Sequence, residues 1–379
     1  MCHKCAISGF RAFSSFRCSP SSRSRAFLFA AAAQKRNISI PTTYKAAIVN
    51  NHGEQFKIID REMPSPKKGE VLVKIHASGC CHTDVHAIDG DWPVKSKLPL
   101  TPGHEGAGEV VALGEGVSNV RVGDRVGMAW LYSACGECEH CVAGWETLCT
   151  KQQNCGYSVD GALQQYAIAA ASHVVKIPDA VSYVQAAPVL CAGVTTYKGL
   201  KETEVKPGQF VSIIGAGGGL GHLAVQYARA MGMRVIAIDI GKKDYTDSLG
   251  AEISVDATDS SCVEKITKYT DGGSHGVLCL ATSTPAFAMA TNLARRRGTV
   301  VHVGLPPGTF PVPIFDVVLK RVSIRGSIVG TRTDLQEALD FAARGLVKVD
   351  VKTEPLANIN SIFDRLRAGR INGRVAIIP

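Results

Sequence analysis

The sequence predicts an α/β protein in two parts, a mostly β N-terminal domain with a barrel-like core and a doubly wound parallel sheet after it. Three observations predict this fold class. Short strand-like segments separated by glycine-rich turns fill residues 45–126, and strand-like segments alternate with helical ones after residue 193. The chain has 379 residues, enough for two domains of roughly 100–200 residues each.

The N-terminal strands are indicated by alternating apolar residues that are often β-branched, at residues 45–50 and 70–77. Glycines are then frequent between residues 101 and 114, and a further strand-like segment follows at 120–126. This pattern is typical of short strands joined by tight turns. It requires no helix before about Tyr183.

The second part begins where glycine-bounded apolar segments start to alternate with a 3.6-residue helical period. Strands are predicted at residues 209–214, 234–239, 276–281 and 298–304, with a helix over 220–231. Two later helices, 334–344 and 359–368, lead to a last strand at 374–378. We therefore predict a first domain over residues 38–192, a parallel-sheet domain over 193–328, and a return to the first domain over 329–379.

The net charge of +9 is concentrated at the N-terminus, because residues 1–40 hold seven basic residues and no acidic residue precedes Glu54. The rest of the chain has 35 basic and 33 acidic residues, which disfavours a nucleic-acid partner. Residues 1–37 combine Arg, Ser, Ala and scattered Phe, as expected for a mitochondrial transit peptide and a matrix location. A tail without targeting function is the alternative, and a secretory signal fits worse. No apolar run is long enough to span a bilayer, so no membrane partner is expected.

Four of the 13 cysteines follow one another at short intervals. Their spacing is Cys135-x2-Cys138-x2-Cys141-x7-Cys149. Four thiolates can close a tetrahedral shell around zinc with no open position, which predicts a structural zinc lobe. An iron–sulfur cluster and four unrelated buried cysteines are the alternatives. A zinc finger that contacts DNA is disfavoured by acidic residues at 137, 139 and 146.

A glycine cluster lies between the first predicted strand and helix of the parallel-sheet domain. Its residues are Gly215, Ala216, Gly217, Gly218, Gly219, Leu220 and Gly221. Glycines let the backbone approach a pyrophosphate at the helix N-terminus, and Asp239 ends the next strand, where a carboxylate can bind the adenine ribose. Asp239 favours NAD over NADP because it would repel an added phosphate. Lys242 and Lys243 keep NADP open as an alternative.

Residues 80–86 place two thiols, two imidazoles, a hydroxyl and a carboxylate within seven positions. These groups bind a soft divalent metal and orient its ligands. With His104 and Cys191 they could form a Cys2His site that leaves one position open for substrate. Spacing alone selects neither Cys81 over Cys80 nor Cys191 over other thiols.

Several of these segments together resemble one family. Cys-His-Thr-Asp at 81–84, Gly-Asp-Trp-Pro at 90–93, Gly-His-Glu-Gly-Ala-Gly at 103–108 and Leu-Cys-Ala-Gly at 190–193 accompany the four-cysteine lobe and the glycine turn. From about residue 38 onward the chain is similar to zinc-dependent medium-chain alcohol dehydrogenases, specifically the yeast-type ethanol dehydrogenases. The leader suggests a mitochondrial form. The resemblance implies a GroES-like catalytic domain, a Rossmann cofactor domain and a homotetramer.

The resemblance also implies residue roles. A catalytic zinc would be held by Cys81, His104 and Cys191, with Glu105 as an alternate ligand. Asp84 would orient His104. The alcohol would be held as an alkoxide on this zinc after its proton had passed to Thr83 and then through the nicotinamide ribose to His86, although His86 could also be a surface histidine without this role.

Further implied roles concern the cofactor and the substrate. His82 and Arg374 would lie near the cofactor pyrophosphate, and Thr195 and Leu220 would pack on the nicotinamide. The glycine turn, Asp239 and Lys243 complete the predicted cofactor-binding residues. Trp92, Trp130 and Leu305 would narrow the pocket to small primary alcohols, with plain core packing as the alternative. Asp89, which replaces a histidine of the yeast-type enzymes, and the extra thiol Cys155 are departures without an assigned role.

The expected function is NAD-dependent, reversible oxidation of ethanol and similar primary alcohols to aldehydes, with two zinc ions per subunit. A polyol, aryl-alcohol or formaldehyde dehydrogenase of the same superfamily is the nearest alternative. A non-enzymatic protein of this fold is disfavoured, because all the implied ligands and relay residues are present.

Overall fold

The computed structural model describes residues 39–379, so the predicted transit peptide lies outside the described residues. The first part of the chain is dominated by strands. Its elements are β1 (Thr43–Ile48), β2 (Lys57–Glu62), β3 (Glu70–Gly79), α1 (His82–Asp89), β4 (Gly106–Leu113), β5 (Arg125–Met128), β6 (Leu131–Ser133), α2 (Glu139–Val142), β7 (Gln153–Asn154), β8 (Tyr166–Ala170) and β9 (Val175–Lys176).

Two helices lead out of this part, and a regular alternation of strands and helices follows. The elements are α3 (Tyr183–Pro188), α4 (Val194–Glu202), β10 (Phe210–Ile214), α5 (Gly221–Ala230), β11 (Arg234–Asp239), α6 (Lys243–Ser248), β12 (Ile253–Asp256), α7 (Cys262–Tyr269), β13 (Ser274–Cys279), α8 (Thr284–Leu293), β14 (Ala294–His302), α9 (Ile314–Lys320) and β15 (Ser323–Gly326). The chain ends with α10 (Arg332–Ala343), β16 (Val351–Pro355), α11 (Ile359–Arg367) and β17 (Arg374–Ile378).

The parallel sheet has the strand order β12-β11-β10-β13-β14-β15. Successive residues of β10 point to opposite faces: Val211 and Ile213 join one apolar core, and Phe210 and Ile214 join another. Burial on both faces explains why β10 is an uninterrupted apolar run. The order reverses between β10 and β13, which places a ligand crevice at the carboxyl ends of these strands.

The N-terminal sheet has the order β16-β17-β3-β4-β5-β9, with β8 paired to β3. Strand β17 pairs antiparallel with β3 and parallel with β16, so the end of the chain returns to the sheet that its beginning forms. The predicted fold class, a mostly β domain with a doubly wound parallel sheet, is confirmed. The domain bounds themselves stay a prediction.

The expectation that no helix precedes Tyr183 was wrong, because α1 occupies residues 82–89. The Asp84 side chain accepts a hydrogen bond from the Cys81 N–H at the helix start, and Gly90 ends the helix in the left-handed conformation. An eight-residue helix carries too little hydrophobic periodicity to stand out in the sequence. Among the described residues, no helix is both long and apolar enough to cross a membrane.

Candidate active site

The first residues of α1 bring a thiol and a carboxylate into the interior. Cys81 is the N-cap residue and is 6% exposed, and Asp84, one turn later, is 1% exposed. A buried carboxylate requires hydrogen-bond donors. Asp84 accepts three N–H groups, from Cys81 N at 3.1 Å, Gly103 N at 3.1 Å and His104 Nδ1 at 2.8 Å.

His104 is oriented by Asp84. Since the carboxylate binds Nδ1–H, the tautomer leaves Nε2 as the nitrogen with a free lone pair. Nε2 is buried without a hydrogen-bond partner, and so is Oε2 of the adjacent Glu105. Two buried polar atoms without partners at one point indicate a ligand site.

Cys191 completes the group from a different part of the fold. It lies in the π-helical turn Val189–Gly193, which follows Pro188. Proline lacks the N–H that a regular helix would use, and π turns of this kind are frequent at functional sites. One ligand atom each from Cys81, His104, Glu105 and Cys191 lies within 4.8 Å of the others, and all four residues are buried.

This donor set fits zinc, because two thiolates and an imidazole are ligands that zinc prefers. A hydrogen bond from Cys191 is the main reason that the pKa of the Cys81 thiol lies well below its usual value. Burial raises the pKa of Glu105 to about 7, although the guanidinium of Arg374 forms an ion pair with it. The structure thus brings together all four predicted residues of the catalytic metal site.

The four-cysteine lobe is a separate cluster. The ligand atoms of Cys135, Cys138, Cys141 and Cys149 also lie within 4.8 Å of one another. Backbone N–H groups point at the sulfurs, from Cys135 to Cys149 Sγ and from Cys138 to Cys135 Sγ, both at 3.4 Å. The N–H of Glu137 is the main cause that lowers the pKa of Cys135 to about 6. A cluster of four sulfurs with N–H donors fits a closed zinc site.

The glycine turn after β10 is shaped by close backbone contacts. Gly215 has φ +85°, which favours glycine, and a Cβ on Gly221 would lie 2.0 Å from the Gly215 oxygen. A Cβ on Gly219 would lie 3.3 Å from Cδ of Arg374, so this arginine reaches the turn as predicted from the sequence. Leu220 is the N-cap residue of α5, and Thr195 is buried on α4.

Asp239 lies at the end of β11 beside the turn. Its Oδ2 accepts the Gly217 N–H at 2.7 Å. Lys242 contacts the turn through its Nζ, 3.1 Å from the Gly217 oxygen. Lys243, the lysine predicted to bind the cofactor, forms an exposed ion pair with Asp247. Lys242 is therefore the lysine in contact with the turn, and the cofactor role of Lys243 stays a prediction.

An aromatic wall stands next to the metal cluster. The ring of Trp130 lies edge-on to His104 with centroids 5.6 Å apart, and Trp92 and Tyr157 pack against Trp130. Tyr157 was not predicted from the sequence, because its contacts depend on the loop after the four-cysteine lobe. Leu305 is 65% exposed on the loop after β14, and the structure does not bring it into this wall.

The predicted relay residues lie on one helix. The Thr83 hydroxyl is 3.7 Å from Cys81 Sγ, and His86 follows three residues later on the same side of α1. His82, at the helix start, is exposed. Of the two departures, Asp89 forms an ion pair with Arg367 of α11, and Cys155 is buried with its pKa raised by burial. A buried, protonated thiol is unreactive.

We expect Asp84→Asn to weaken zinc binding at the Cys81–His104–Cys191 cluster. An amide can accept only through one atom and would turn an NH2 group toward donors, so His104 loses its fixed orientation. The expected loss in zinc affinity or activity is roughly 10- to 100-fold. Competition with a chelator would measure it, with Asp60→Asn, an exposed carboxylate, as the matched control. Equal zinc retention in both variants would contradict this role.

We expect His222 to make the parallel-sheet domain sensitive to acid. It is fully buried, its Nε2 accepts the Asp350 N–H at 3.2 Å, and burial lowers its pKa to about 4. As pH falls below about 6.5, the imidazole of His222 becomes protonated in the unfolded chain but stays neutral in the folded chain. The free energy of unfolding should therefore drop by about 3 kcal/mol by pH 4 through this residue.

His222→Gln keeps an acceptor for Asp350 but does not titrate. Urea unfolding of both proteins at matched zinc content should give a constant difference in unfolding free energy above pH 7. Between pH 6.5 and 4 the parent should lose stability relative to the variant. Parallel stability curves across this window would show that His222 is not the responsible group.

A parallel sheet with a glycine turn at its reversal point, facing a β domain with two zinc-type clusters, defines a zinc-binding oxidoreductase. Known proteins agree with this class. The sequence profile of the alcohol dehydrogenase GroES-like domain matches residues 67–179, and that of zinc-binding dehydrogenases matches residues 219–344. Together these profiles cover parts of both sheets.

Similar proteins extend the match to most of the chain. An alcohol dehydrogenase of Moraxella sp. is 56% identical over 88% of this chain and 98% of its own length. Alcohol dehydrogenase 1 of Emericella nidulans is 49% identical, covering 90% of this chain and 99% of its own. The alcohol dehydrogenase structure from Aeropyrum pernix matches with TM-score 0.80 and 32% identity, over 88% of this chain and 100% of that one. The protein belongs to the zinc-binding medium-chain alcohol dehydrogenase family.

Proposed function

We propose that the protein is a yeast-type enzyme that interconverts ethanol-like primary alcohols and aldehydes with NAD as the hydride acceptor. The observation that carries this proposal is the position of Trp130, whose ring lies 5.6 Å from that of the predicted zinc ligand His104. An indole beside a metal ligand, backed by Trp92, supports a pocket for a short substrate chain. Zinc bound at this cluster supplies a Lewis acid that lowers the pKa of a hydroxyl group.

Transfer of the substrate hydroxyl proton is assigned to Thr83 and His86. Thr83 lies beside Cys81 and can accept a hydrogen bond from a substrate hydroxyl, while His86 lies one helical turn further toward solvent. A histidine exchanges protons near neutral pH because its unperturbed pKa is about 6.5. The proposed route therefore runs from the interior along one side of α1 to the surface.

NAD rather than NADP is proposed because Asp239 ends the second strand of the parallel sheet. Its charge would repel a phosphate on the adenine ribose. Both cofactors occur among similar structures: acetophenone reductase from Geotrichum candidum was solved with NAD, and a putative zinc-binding dehydrogenase from Sinorhizobium meliloti with NADP. Kinetics with both cofactors test this proposal. Asp239→Asn should raise the use of NADP, whereas the control Asp244→Asn on α6 should not.

A panel of alcohols tests the substrate. Ethanol should have a higher kcat/KM than benzyl alcohol or cyclohexanol, and Trp130→Ala should reverse this order by opening the pocket. Trp145→Ala is the matched control, since this tryptophan is 42% exposed on the four-cysteine lobe. A parent enzyme that prefers the bulky alcohols would overturn the ethanol proposal and favour an aryl-alcohol dehydrogenase. The cinnamyl alcohol dehydrogenase of Sorghum bicolor has a similar structure, with TM-score 0.80 and 27% identity.

We also propose that the mature protein is a homotetramer in the mitochondrial matrix. The acid-free basic leader supports the location. Self-association is supported by α9, where Ile314, Phe315, Val318 and Leu319 are 63–77% exposed, next to the edge strand β15. Light scattering and N-terminal sequencing of protein from isolated mitochondria test both proposals. A monomer would overturn the proposed homotetramer, and an intact Met1 would overturn the proposed mitochondrial location.

A further inference from the structure

We infer that Asp91 is a positioning residue that holds the imidazole of His86 and determines which ring nitrogen exchanges the proton. The inference rests on the proposed function, because it assigns His86 to the proton route. It concerns a residue of the Gly-Asp-Trp-Pro turn that neither binds zinc nor lines the cofactor turn.

The contact between the two side chains is direct. Nδ1 of His86 lies 2.9 Å from each carboxylate oxygen of Asp91. An ionised carboxylate can only accept hydrogen bonds, so Nδ1 carries the proton and donates it. Nε2 is then the nitrogen that binds and releases the transferred proton.

The turn that brings Asp91 to His86 is fixed by its surroundings. Gly90 ends α1 with φ 62°, its N–H binds the His86 oxygen, and a Cβ at this position would lie 2.5 Å from the ring of His52. The Lys95 ammonium group donates to the Gly90 oxygen. The chain therefore turns back over the last turn of α1, which places the Asp91 carboxylate next to His86.

A second contact holds the plane of the ring. The imidazole of His86 stacks on the indole of Trp92 with centroids 5.0 Å apart and an interplanar angle of 21°. Asp91 fixes the edge of the imidazole and Trp92 fixes its face, so the ring has one preferred orientation. Trp92 also belongs to the aromatic wall, which couples the relay histidine to the substrate pocket.

Among the charged groups around His86, Asp91 is the anion in direct contact with its imidazole. Asp89, in the same helical turn, is paired with Arg367 of α11 at 2.7 Å. His82 lies four residues earlier on α1, and Lys95 is held by the Gly90 oxygen. The side chains of His86 and Asp91 are 31% and 52% exposed, so the pair is in contact with solvent and its electrostatic energy is partly screened.

Two substitutions separate charge from position. Asp91→Asn keeps an oxygen that accepts from Nδ1 but removes the negative charge beside the imidazole, so the pH profile of kcat/KM should differ from that of the parent. Asp91→Ala removes both the charge and the acceptor, and should also lower kcat/KM roughly fivefold because the ring loses its orientation. Asp89→Asn is the matched control and should keep the parent profile.

The experiment is a set of pH profiles for ethanol oxidation by the zinc-loaded parent, Asp91→Asn, Asp91→Ala, His86→Gln and the double variant Asp91→Asn/His86→Gln. If Asp91 acts through His86, the double variant should match His86→Gln. An Asp91→Asn profile that coincides with the parent, while His86→Gln changes it, would overturn this inference alone. A shift of equal size in the His86→Gln background would also overturn it. A His86→Gln profile identical to the parent would overturn the proposed relay and this inference together.

Discussion

Replacing Cys191 by serine should remove one zinc ion per subunit and nearly all activity while leaving the protein folded. Cys191 is the predicted ligand that joins the cluster from the π-helical turn, and a serine hydroxyl stays protonated at neutral pH and binds zinc poorly. Loss of a Lewis acid worth several kcal/mol should reduce kcat/KM by about 1000-fold or more.

The control is Cys262→Ser, which changes a buried thiol of α7 that belongs to neither cluster. It should keep the zinc content and the activity of the parent. Zinc would be counted by elemental analysis on dialysed protein, and circular dichroism would check the fold. A Cys191→Ser variant that kept the parent's zinc content would show that this thiol is not a ligand.

Replacing Cys138 by serine should have its largest effect on stability. Helix α2 of the lobe has no buried residue, so little apolar packing stabilises this helix, and we expect a metal bound by the four cysteines to order it. The expected loss is about 3 kcal/mol or more in the free energy of unfolding, because structural zinc binding is folding free energy. Zinc should fall from two ions per subunit to one.

The zinc that remains in Cys138→Ser should be the catalytic one. The lobe is joined to the rest of the protein by Glu146, whose carboxylate lies 2.7 Å from a guanidinium nitrogen of Arg332 at the start of α10. Some activity should therefore persist at low temperature and be lost on mild heating. Thermal unfolding and zinc counts on the same samples would measure both effects. One zinc per intact parent subunit would contradict the two-site proposal.

Much of the architecture was predictable because its signals are local. Strand β10, the glycine turn, α5, β11 and Asp239 occur in order within one segment, and each is indicated by its own residues. The four-cysteine cluster was predictable for the same reason, since its cysteines lie within 15 consecutive residues. Helix α1 was missed because its start depends on a carboxylate hydrogen bond rather than on periodicity.

Sequence alone therefore determined the fold class, the lobe and the glycine turn, because short-range spacing and periodicity encode them. Only the tertiary structure decided how Cys81, His104 and Cys191 meet, since a helix N-terminus, a β-strand loop and a π turn must pack together to bring their donors within 4.8 Å. The same holds for the contact of Lys242 with the glycine turn, for the place of Tyr157 in the aromatic wall and for the contact of Asp91 with His86. These contacts depend on which side of an element faces a neighbour, and packing of the whole chain sets that direction.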